Sequence, residues 1–339
     1  MTQSYFRPIA STDAARPSDA LPLAGGWAWW STAELLSRTA APQIIAARDV
    51  PPEVRDRISA SRADVSGLSL DQPRLMGILN TTPDSFSDGG QHNDLESAVA
   101  HAHAMAQAGA EIIDIGGEST RPGAEVVTNS EEVSRTQPVI EALRAANVFT
   151  PVSIDTRKGV VAQAAVSAGA NIINDVSGLS YDPELINVVA ETGLPVCIMH
   201  AQGDPKTMQK DPTYENVLLD VYDYLHARIE IAKEAGIPRS RIIVDPGIGF
   251  GKTVAHNMAL IRGLSLFHAL GCPILLGVSR KRFIGVIGNA QDAATRGPGS
   301  IALGLEALRQ GVQFLRVHDV ADTRQAMALW WAAHGGSNE

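Results

Sequence analysis

The sequence has few of the features that mark secreted, membrane or nucleic-acid-binding proteins. It has 2 cysteines in 339 residues, Cys197 and Cys272, and neither has the spacing of a metal site. No apolar run approaches the ~20 residues of a membrane span, and MTQSYFRPIASTDAARPSD contains no apolar signal segment. Acidic residues outnumber basic ones by 37 to 28, which argues against nucleic acid as the main partner. We therefore expect a cytoplasmic protein with neither a membrane nor a nucleic-acid partner.

Residues 1–72 differ in composition from the rest of the chain. Within them, Leu21–Trp30 holds three of the 5 tryptophans. Such a density of aromatic residues predicts packing against the main domain or a partner rather than ligand binding. Capping residues predict a short helix at Ser31–Leu36, and the proline pair before Glu53–Ala63 predicts a second one.

From Pro73 onward, short apolar segments alternate with segments of helical periodicity. We predict strands at Leu75–Leu79, Ile112–Ile115, Val152–Ile154, Asn171–Asn174, Val196–Met199, Ile242–Val244, Ile274–Leu276 and Phe314–Val317. Helices are predicted at Leu95–Ala108, Ser130–Ala145, Gly159–Ala168, Pro183–Glu191, Tyr214–Ala235, Val254–Leu264, Ala290–Gln310 and Ala321–Trp331.

Eight strand–helix units in about 265 residues match a (β/α)8 barrel in number and size. We therefore predict an α/β protein with a TIM barrel over residues 73–335 and an N-terminal extension over residues 1–72. A doubly wound open sheet is the alternative. It would concentrate functional residues at one switch point, whereas polar residues follow nearly every predicted strand here.

The change from apolar to polar residues is clearest at the end of the first predicted strand. Leu75–Leu79 is apolar, and Asn80 begins a polar stretch that continues to Gly90. A strand whose end enters a binding site has this pattern, although an Asx or serine turn would have it too. Polar residues also follow the other strands: Arg121, Asp155, Asn174, His200, Asp245, Ser279, Lys281, Arg316 and His318.

Each of these residues has an ordinary structural interpretation when it is taken alone. Arg121 suits a solvated loop, Asp155 suits a helix N-cap, and His318 suits a structural histidine. A nucleotide-binding loop near Gly251-Lys252-Thr253 is excluded, because Pro246 stands where the P-loop pattern requires glycine.

In a barrel, all of these strand ends meet at one mouth, and their side chains form a chemically coherent set. Buried carboxylates and amides suit a nitrogen-rich heterocycle. The positive charge of the cationic residues suits phosphate or another di-anionic leaving group. These residues are Arg121, Lys281, Arg316 and His318. Asn80 is predicted to be an oxygen ligand of Mg²⁺, which commonly takes one or two protein groups beside phosphate and water.

Eight segments of the chain resemble, in order and spacing, the motifs of the dihydropteroate synthase family. They are ILNTTPDSFSDGG, IDIGGESTRPGA, IDTRK, NIINDVSG, MHAQGDPKTMQ, VDPGIGFGK, GVSRKRFIG and RVHDV, and the resemblance covers about residues 74 to 330. It implies a transferase of folate biosynthesis, a sulfonamide target and a homodimer. The implied reaction joins 6-hydroxymethyl-7,8-dihydropterin pyrophosphate to 4-aminobenzoate with Mg²⁺ as cofactor.

The resemblance also implies a role for individual residues. Those implied at the pterin ring are Asp155, Asn174, Met199, Asp245, Phe250, Lys281 and Arg316. Those implied at pyrophosphate are Asn80, which also contacts the metal, Arg121, Arg316 and His318. Those implied at 4-aminobenzoate are Phe86, Thr120, Pro122, Ser279 and Lys281. The residues implied in catalysis itself are Arg121, Asp155 and Lys281.

The chain departs from the family pattern at Ala201, where methionine is usual, and at Arg282, where a small or hydroxyl residue is common. Two other functions remain open at this point. A methyltetrahydrofolate-binding methyltransferase domain shares the barrel, but we see no corrinoid module. A non-catalytic pterin-binding paralogue would not need the residues implied at pyrophosphate.

Overall fold

The computed structural model describes residues 3–81, 90–119, 126–203 and 208–334. Its N-terminal part contains five short strands and one helix: β1 Ser4–Pro8, β2 Leu21–Pro22, β3 Trp29–Trp30, β4 Thr32–Ser37, β5 Gln43–Ala46 and α1 Pro52–Ser59. Strands β1, β4 and β5 form an antiparallel sheet with β4 in the middle, and β2 pairs with β3.

The helix predicted at Ser31–Leu36 is wrong, because this segment forms the central strand β4. Its backbone pairs with β1 on one side and β5 on the other, and Ala33 is buried. Six residues form too short a helix to be stable alone, so the two neighbouring strands decide the outcome. The second predicted helix is present as α1 but ends at Ser59, because Ala60 adopts an extended conformation.

Aromatic and charged side chains attach the N-terminal part to the helices of the barrel. The indole nitrogen of Trp27 donates to the Leu308 carbonyl at 2.8 Å, and its ring packs edge-on against Trp331. Arg38 forms salt bridges with Asp220 at 2.7 Å and Asp223 at 2.8 Å. The tryptophan-rich segment therefore packs against the barrel, and the domain division at residue 72 stays a prediction.

Eight parallel strands form the barrel predicted from the sequence. They are β6 Arg74–Asn80, β7 Ile112–Gly116, β8 Val152–Asp155, β9 Ile172–Asp175, β10 Val196–Met199, β11 Ile242–Asp245, β12 Leu275–Leu276 and β13 Phe314–Val317. Their hydrogen-bonded order is β11-β10-β9-β8-β7-β6-β13-β12. A parallel bridge between Val244 and Ile274 joins the two ends of this order, so the sheet curves into a nearly closed barrel.

The helices between and after these strands are α2 Gly90–Gln107, α3 Asn129–Ala145, α4 Gly159–Ala168, α5 Pro183–Thr192, α6 Val217–Glu234, α7 Val254–Arg262, α8 Arg282–Ile287, α9 Gly297–Arg309 and α10 Val320–Ala333. The prediction for Ala290–Gln310 begins too early, because a 3-10 turn at Ala293–Arg296 precedes α9. The short helix α8 was not predicted. None of the described helices is long and apolar enough to cross a membrane.

The interior of the barrel changes from apolar to polar along the strands. An apolar layer fills its N-terminal end, formed by Val65, Leu70, Met76, Ile112, Ile172, Cys197, Ile243, Leu275 and Phe314. Residues two positions apart on a strand face the same side. The next inward positions therefore carry Asp114, Asn174, Met199, Asp245 and Arg316, which places polar groups at the C-terminal mouth.

Candidate active site

A cavity of about 950 Å³ opens at the C-terminal ends of the barrel strands. Ten residues predicted from the sequence line it: Asn80, Asp155, Asn174, Met199, Asp245, Phe250, Ser279, Lys281, Arg316 and His318. The other four predicted residues, Phe86, Thr120, Arg121 and Pro122, lie outside the described residues. In TIM barrels the active site lies at this end, and the cavity is therefore the candidate active site.

Two carboxylates hold the guanidinium of Arg316 in the cavity. Its Nε donates to Asp114 Oδ2 at 2.6 Å, and its Nη2 donates to Asp155 Oδ2 at 2.7 Å. Asn174 Nδ2 lies 3.3 Å from each oxygen of Asp114. These contacts join β7, β8, β9 and β13, so the charged groups of four strands are fixed relative to one another.

Asp114 has no role predicted from the sequence, and the structure places it at the centre of this network. Its side chain is fully buried and accepts hydrogen bonds from Arg316 and Asn174. A buried carboxylate without a neighbouring cation greatly destabilises the folded state. The folded state therefore requires Arg316 beside Asp114. One feature of the sequence indicated this position. Asp114 lies two residues after Ile112 on the same strand, so its side chain also faces the inside of the barrel. The predicted contacts of Arg316 with pterin and pyrophosphate stay predictions.

Burial changes the acidity of two aspartates that line the cavity. It raises the pKa of Asp155 to about 7, although the charge of Arg316 opposes the change. It also raises the pKa of Asp245 to about 6, although a hydrogen bond of 2.7 Å from the Gly247 amide lowers this pKa.

The turn after Asp245 requires glycine at position 247. A Cβ at Gly247 would lie 1.8 Å from the His200 carbonyl oxygen, and φ is +68°, so only glycine fits this turn.

Lys281 and Phe250 form a cationic and aromatic side of the cavity. The ammonium of Lys281 lies 4.1 Å from the centre of the Phe250 ring, which is a cation–π contact. Gly249 has φ of +86°, and a Cβ there would lie 3.1 Å from Lys281 Cδ. The glycine before Phe250 therefore lets the lysine chain pass close to the backbone and reach the ring.

The last two strand ends are joined by Ser279 and His318. The Ser279 hydroxyl accepts a hydrogen bond from the His318 amide at 3.1 Å and lies 2.9 Å from His318 Nδ1. Both side chains line the cavity. His318 is therefore oriented by the segment that also carries Lys281.

A buried lysine organises the segment that carries Phe250. Lys252 Nζ donates to the carbonyls of Gly247 at 2.8 Å and Phe250 at 2.9 Å, and it lies 2.9 Å from His200 Nδ1. Burial lowers the pKa of Lys252 to about 7. No structural role of Lys252 is predicted from the sequence, because this role depends on contacts that no motif shows.

Known proteins are similar to this chain over most of its length. The sequence profile of the family described as "Pterin binding enzyme" matches residues 76–318. The chain is 48% identical over 267 residues to dihydropteroate synthase of Escherichia coli strain K12, covering 79% of this chain and 94% of that protein.

Solved structures of the same enzyme superpose on the barrel. Dihydropteroate synthase of Xanthomonas albilineans with 4-aminobenzoic acid has a TM-score of 0.76 at 46% identity, covering 81% of this chain and 99% of that chain. The same enzyme with 7,8-dihydropteroate has a TM-score of 0.73 at 44% identity, covering 81% of this chain and 100% of that chain. The fold and the resemblance predicted from the sequence are confirmed, and this chain belongs to the dihydropteroate synthase family of pterin-binding enzymes.

Proposed function

We propose that this chain joins 6-hydroxymethyl-7,8-dihydropterin pyrophosphate to 4-aminobenzoate, forming 7,8-dihydropteroate and pyrophosphate. The observation that carries the proposal is the cavity at the C-terminal mouth, where ten predicted site residues converge. The relatives named above support it, since their solved complexes contain 4-aminobenzoic acid or 7,8-dihydropteroate. The enzyme is a transferase of folate biosynthesis.

In this proposal, the buried acidic side recognises the pterin ring. The carboxylates of Asp155 and Asp245 accept hydrogen bonds from its N–H groups, and the Asn174 amide both donates and accepts. Met199 and Phe250 provide the apolar walls of the ring site. Arg316 favours the ionised form of Asp155, in which both carboxylate oxygens accept hydrogen bonds.

The chemical step begins when the bond between the pterin methylene carbon and the pyrophosphate oxygen breaks. The electron pair leaves with pyrophosphate, and positive charge develops on the pterin methylene group. The carboxylates beside the ring stabilise this positive charge. Lys281, Arg316 and His318, together with Arg121 outside the described residues, stabilise the departing anion.

The amine nitrogen of 4-aminobenzoate then forms the new bond to carbon and loses a proton. An aryl amine is a weak nucleophile, so its alignment provides much of the remaining rate enhancement. Ser279 and Lys281 are the described residues that we assign to this substrate. Phe86, Thr120 and Pro122 complete the proposed site.

Mg²⁺ is the cofactor implied by the family. No group of three or more His, Cys, Asp or Glu placed to hold a metal occurs among the described residues. Asn80, which lines the cavity, offers an amide oxygen as the ligand that we assign to the metal. This fits Mg²⁺, which commonly takes one or two protein ligands and completes its coordination with substrate phosphates and water. When bound, it would neutralise charge on pyrophosphate.

The proposal is tested by incubating the purified protein with both substrates and Mg²⁺ and identifying products by mass spectrometry. We expect 7,8-dihydropteroate only when both substrates are present, and little product when EDTA removes the metal. Tight pterin binding without product would instead indicate a non-catalytic paralogue. Methyl transfer from methyltetrahydrofolate to a corrinoid would indicate the methyltransferase.

The affinity for pterin is expected to fall as the pH is lowered. Asp155 and Asp245 accept hydrogen bonds with their full capacity only when ionised, because protonation turns one carboxyl oxygen into a donor, and burial raises their pKa values to about 7 and about 6. The Kd should therefore rise about tenfold per pH unit below the first pKa and more steeply below the second. Titration calorimetry with 6-hydroxymethylpterin, which has no phosphate to titrate, measures this between about pH 5 and pH 9. A Kd that stays constant across this range would contradict the assignment of both aspartates.

The homodimer and the cytoplasmic location are part of the same proposal. The family resemblance supports the dimer, and Leu329 on α10 and Ile287 on α8 supply exposed apolar surface, at 69% and 59% exposure. Both cysteines are buried free thiols, which suits a reducing compartment. Light scattering at several concentrations would test the dimer.

A further inference from the structure

A pair of charged side chains joins the ends of the last two barrel strands: Arg280, after β12, and Asp319, after β13. Arg280 Nε donates to Asp319 Oδ2 at 3.0 Å, and Nη2 of the same guanidinium contacts Asp319 Oδ1. Arg280 directly precedes Lys281 in the chain, and Asp319 directly follows a second cavity residue, His318. The proposed reaction gives neither member of the pair a role.

The backbone hydrogen bonds between these two strands end before the residues of the site. Strand β12 is two residues long, and its register with β13 ends at Leu276 and Leu315. Lys281 lies beyond this last pair, so pairing between the strands does not fix its position. The salt bridge between Arg280 and Asp319 connects the two strand ends beyond the last paired residues.

The backbone of Arg280 adopts a conformation that is uncommon for a residue with a side chain. Its φ is +57°, in the left-handed region that favours glycine. The Arg280 amide donates to Ser300 Oγ at 2.9 Å, and the Arg280 carbonyl accepts a hydrogen bond from Arg296 Nη1 at 3.0 Å. A strained conformation of this kind persists only where the surrounding structure holds it. The turn that leads into Lys281 is therefore held by contacts to both of its peptide groups and to its side chain.

These contacts lie at the part of the cavity that we assign to the departing anion. Arg280, Lys281 and His318 all line the cavity. Two cationic groups stabilise one anion only when both are at the right distance from it, and a misplacement of about 1 Å can lower a rate about 10²-fold. Because partly exposed salt bridges contribute little to stability, stability alone does not account for a strained residue held in this way.

We propose that Arg280 is a positioning residue, which acts through Asp319 to hold two cationic side chains at the spacing that binds pyrophosphate. Those side chains are Lys281 and His318. The inference deepens the proposed function and rests on it for the identity of the anion. Asp319 already occupies Nε and Nη2 of the guanidinium. Loss of either member of the pair should therefore weaken anion binding.

The test measures the Kd of inorganic pyrophosphate with Mg²⁺ by titration calorimetry. We expect Arg280→Met to raise this Kd about tenfold, the lower end of the loss seen when a partner behind a ligand is removed. Asp319→Asn should raise it as well, although this change removes a negative charge near the site. A guanidinium that binds the anion directly would give the opposite sign, because Asp319→Asn would release it toward pyrophosphate. An unchanged or lower Kd in Asp319→Asn would overturn the inference.

Two further variants keep the test valid if Arg280→Met does not fold. The double variant Arg280→Met with Asp319→Asn removes one cation and one anion, so no charge is left without its partner. It should bind pyrophosphate about as weakly as Asp319→Asn alone, because both changes remove the same contact. Arg280→Lys keeps the charge and should recover part of the affinity. A double variant with the affinity of wild type would contradict the positioning role.

Arg324→Met is the matched control. Arg324 pairs with Glu111 at 2.7 Å, and the two side chains are 34% and 21% exposed, whereas those of Arg280 and Asp319 are 34% and 18% exposed. Neither Arg324 nor Glu111 is among the described residues that line the cavity. The Kd of pyrophosphate should stay within about twofold of the wild-type value. An equal loss in this control would show that any broken salt bridge of this kind weakens binding, and the inference would fail.

Pyrophosphate binding needs no turnover, so the result can be separated from the proposed function. A wild type that binds pyrophosphate but forms no dihydropteroate would overturn the proposed function, and the Kd values would still decide the role of Arg280. A wild type that does not bind pyrophosphate would overturn the inference. In the active enzyme, Arg280→Met should lower kcat/KM by itself but only slightly when it is added to Lys281→Ala, because Arg280 acts largely through Lys281.

Discussion

Lys281→Ala is expected to lower kcat/KM by about 10²- to 10³-fold, the loss typical when a group that stabilises transition-state charge is removed. The ammonium lies 4.1 Å from the centre of the Phe250 ring and faces the cavity. In the proposed reaction it contacts the pterin, lies near the departing anion and borders the 4-aminobenzoate site. Its removal therefore affects both substrates.

Steady-state kinetics with each substrate varied in turn would measure this loss. Lys233→Ala is the matched control, because Lys233 is 41% exposed on the outer surface of α6 and should keep wild-type kinetics. Thermal unfolding of both variants shows whether they are folded at the assay temperature. A Lys281→Ala enzyme with near-normal kcat/KM would contradict the role assigned to Lys281.

Arg316→Met is expected to reduce both stability and activity. The substitution leaves Asp114, which is fully buried, and Asp155 without the cation that contacts both of them at 2.6 and 2.7 Å. Removing one partner of a buried pair costs about 3–5 kcal/mol. Because Arg316 is 21% exposed, we expect about 3 kcal/mol in the free energy of unfolding, with turnover lost as well.

The pH dependence of this destabilisation provides a further check. Arg316 lowers the pKa of Asp155 against the effect of burial, so its removal should raise that pKa further. The destabilisation should then be largest above about pH 7, where wild-type Asp155 is ionised, and should shrink as protonation neutralises the carboxylate. Urea unfolding at about pH 8 and pH 5.5 would measure the difference.

Two variants provide the controls for this experiment. Arg316→Lys keeps the charge and should recover part of the stability, although it cannot contact both carboxylates with a planar fork. Arg309→Met, at a side chain 63% exposed on α9, should change the free energy of unfolding by less than about 0.5 kcal/mol. An Arg316→Met protein as stable as wild type would show that Asp114 and Asp155 do not depend on Arg316.

The barrel and its polar mouth can be predicted from the sequence because both follow from local order. An apolar run followed directly by Asn80, Asp155 or Asp245 indicates a buried strand that ends in a polar site. On each strand, alternate side chains face the inside of the barrel as far as its mouth, so residues far apart in sequence line one cavity. The resemblance of the motifs to a known family then predicts the substrates and the reaction, which the periodicity of apolar residues alone does not.

The interactions that sequence analysis missed are those made by residues far apart in the chain. Asp114 lies inside the apolar run IIDIG, and its partner Arg316 is 202 residues away. Lys158 contacts Glu118 and Glu132 across 40 and 26 residues. The strand at Thr32–Ser37 was missed for the same reason, since the neighbours β1 and β5 determine its conformation.

The central claim is that this chain couples loss of pyrophosphate to bond formation with 4-aminobenzoate. The most direct test measures pyrophosphate and 7,8-dihydropteroate in the same sample, with the dihydropterin pyrophosphate and Mg²⁺, with and without 4-aminobenzoate. We predict that sustained pyrophosphate release requires 4-aminobenzoate and that the two products appear in equal amounts. Tight pterin binding with no pyrophosphate release under either condition would contradict the claim and identify a pterin-binding protein without this activity.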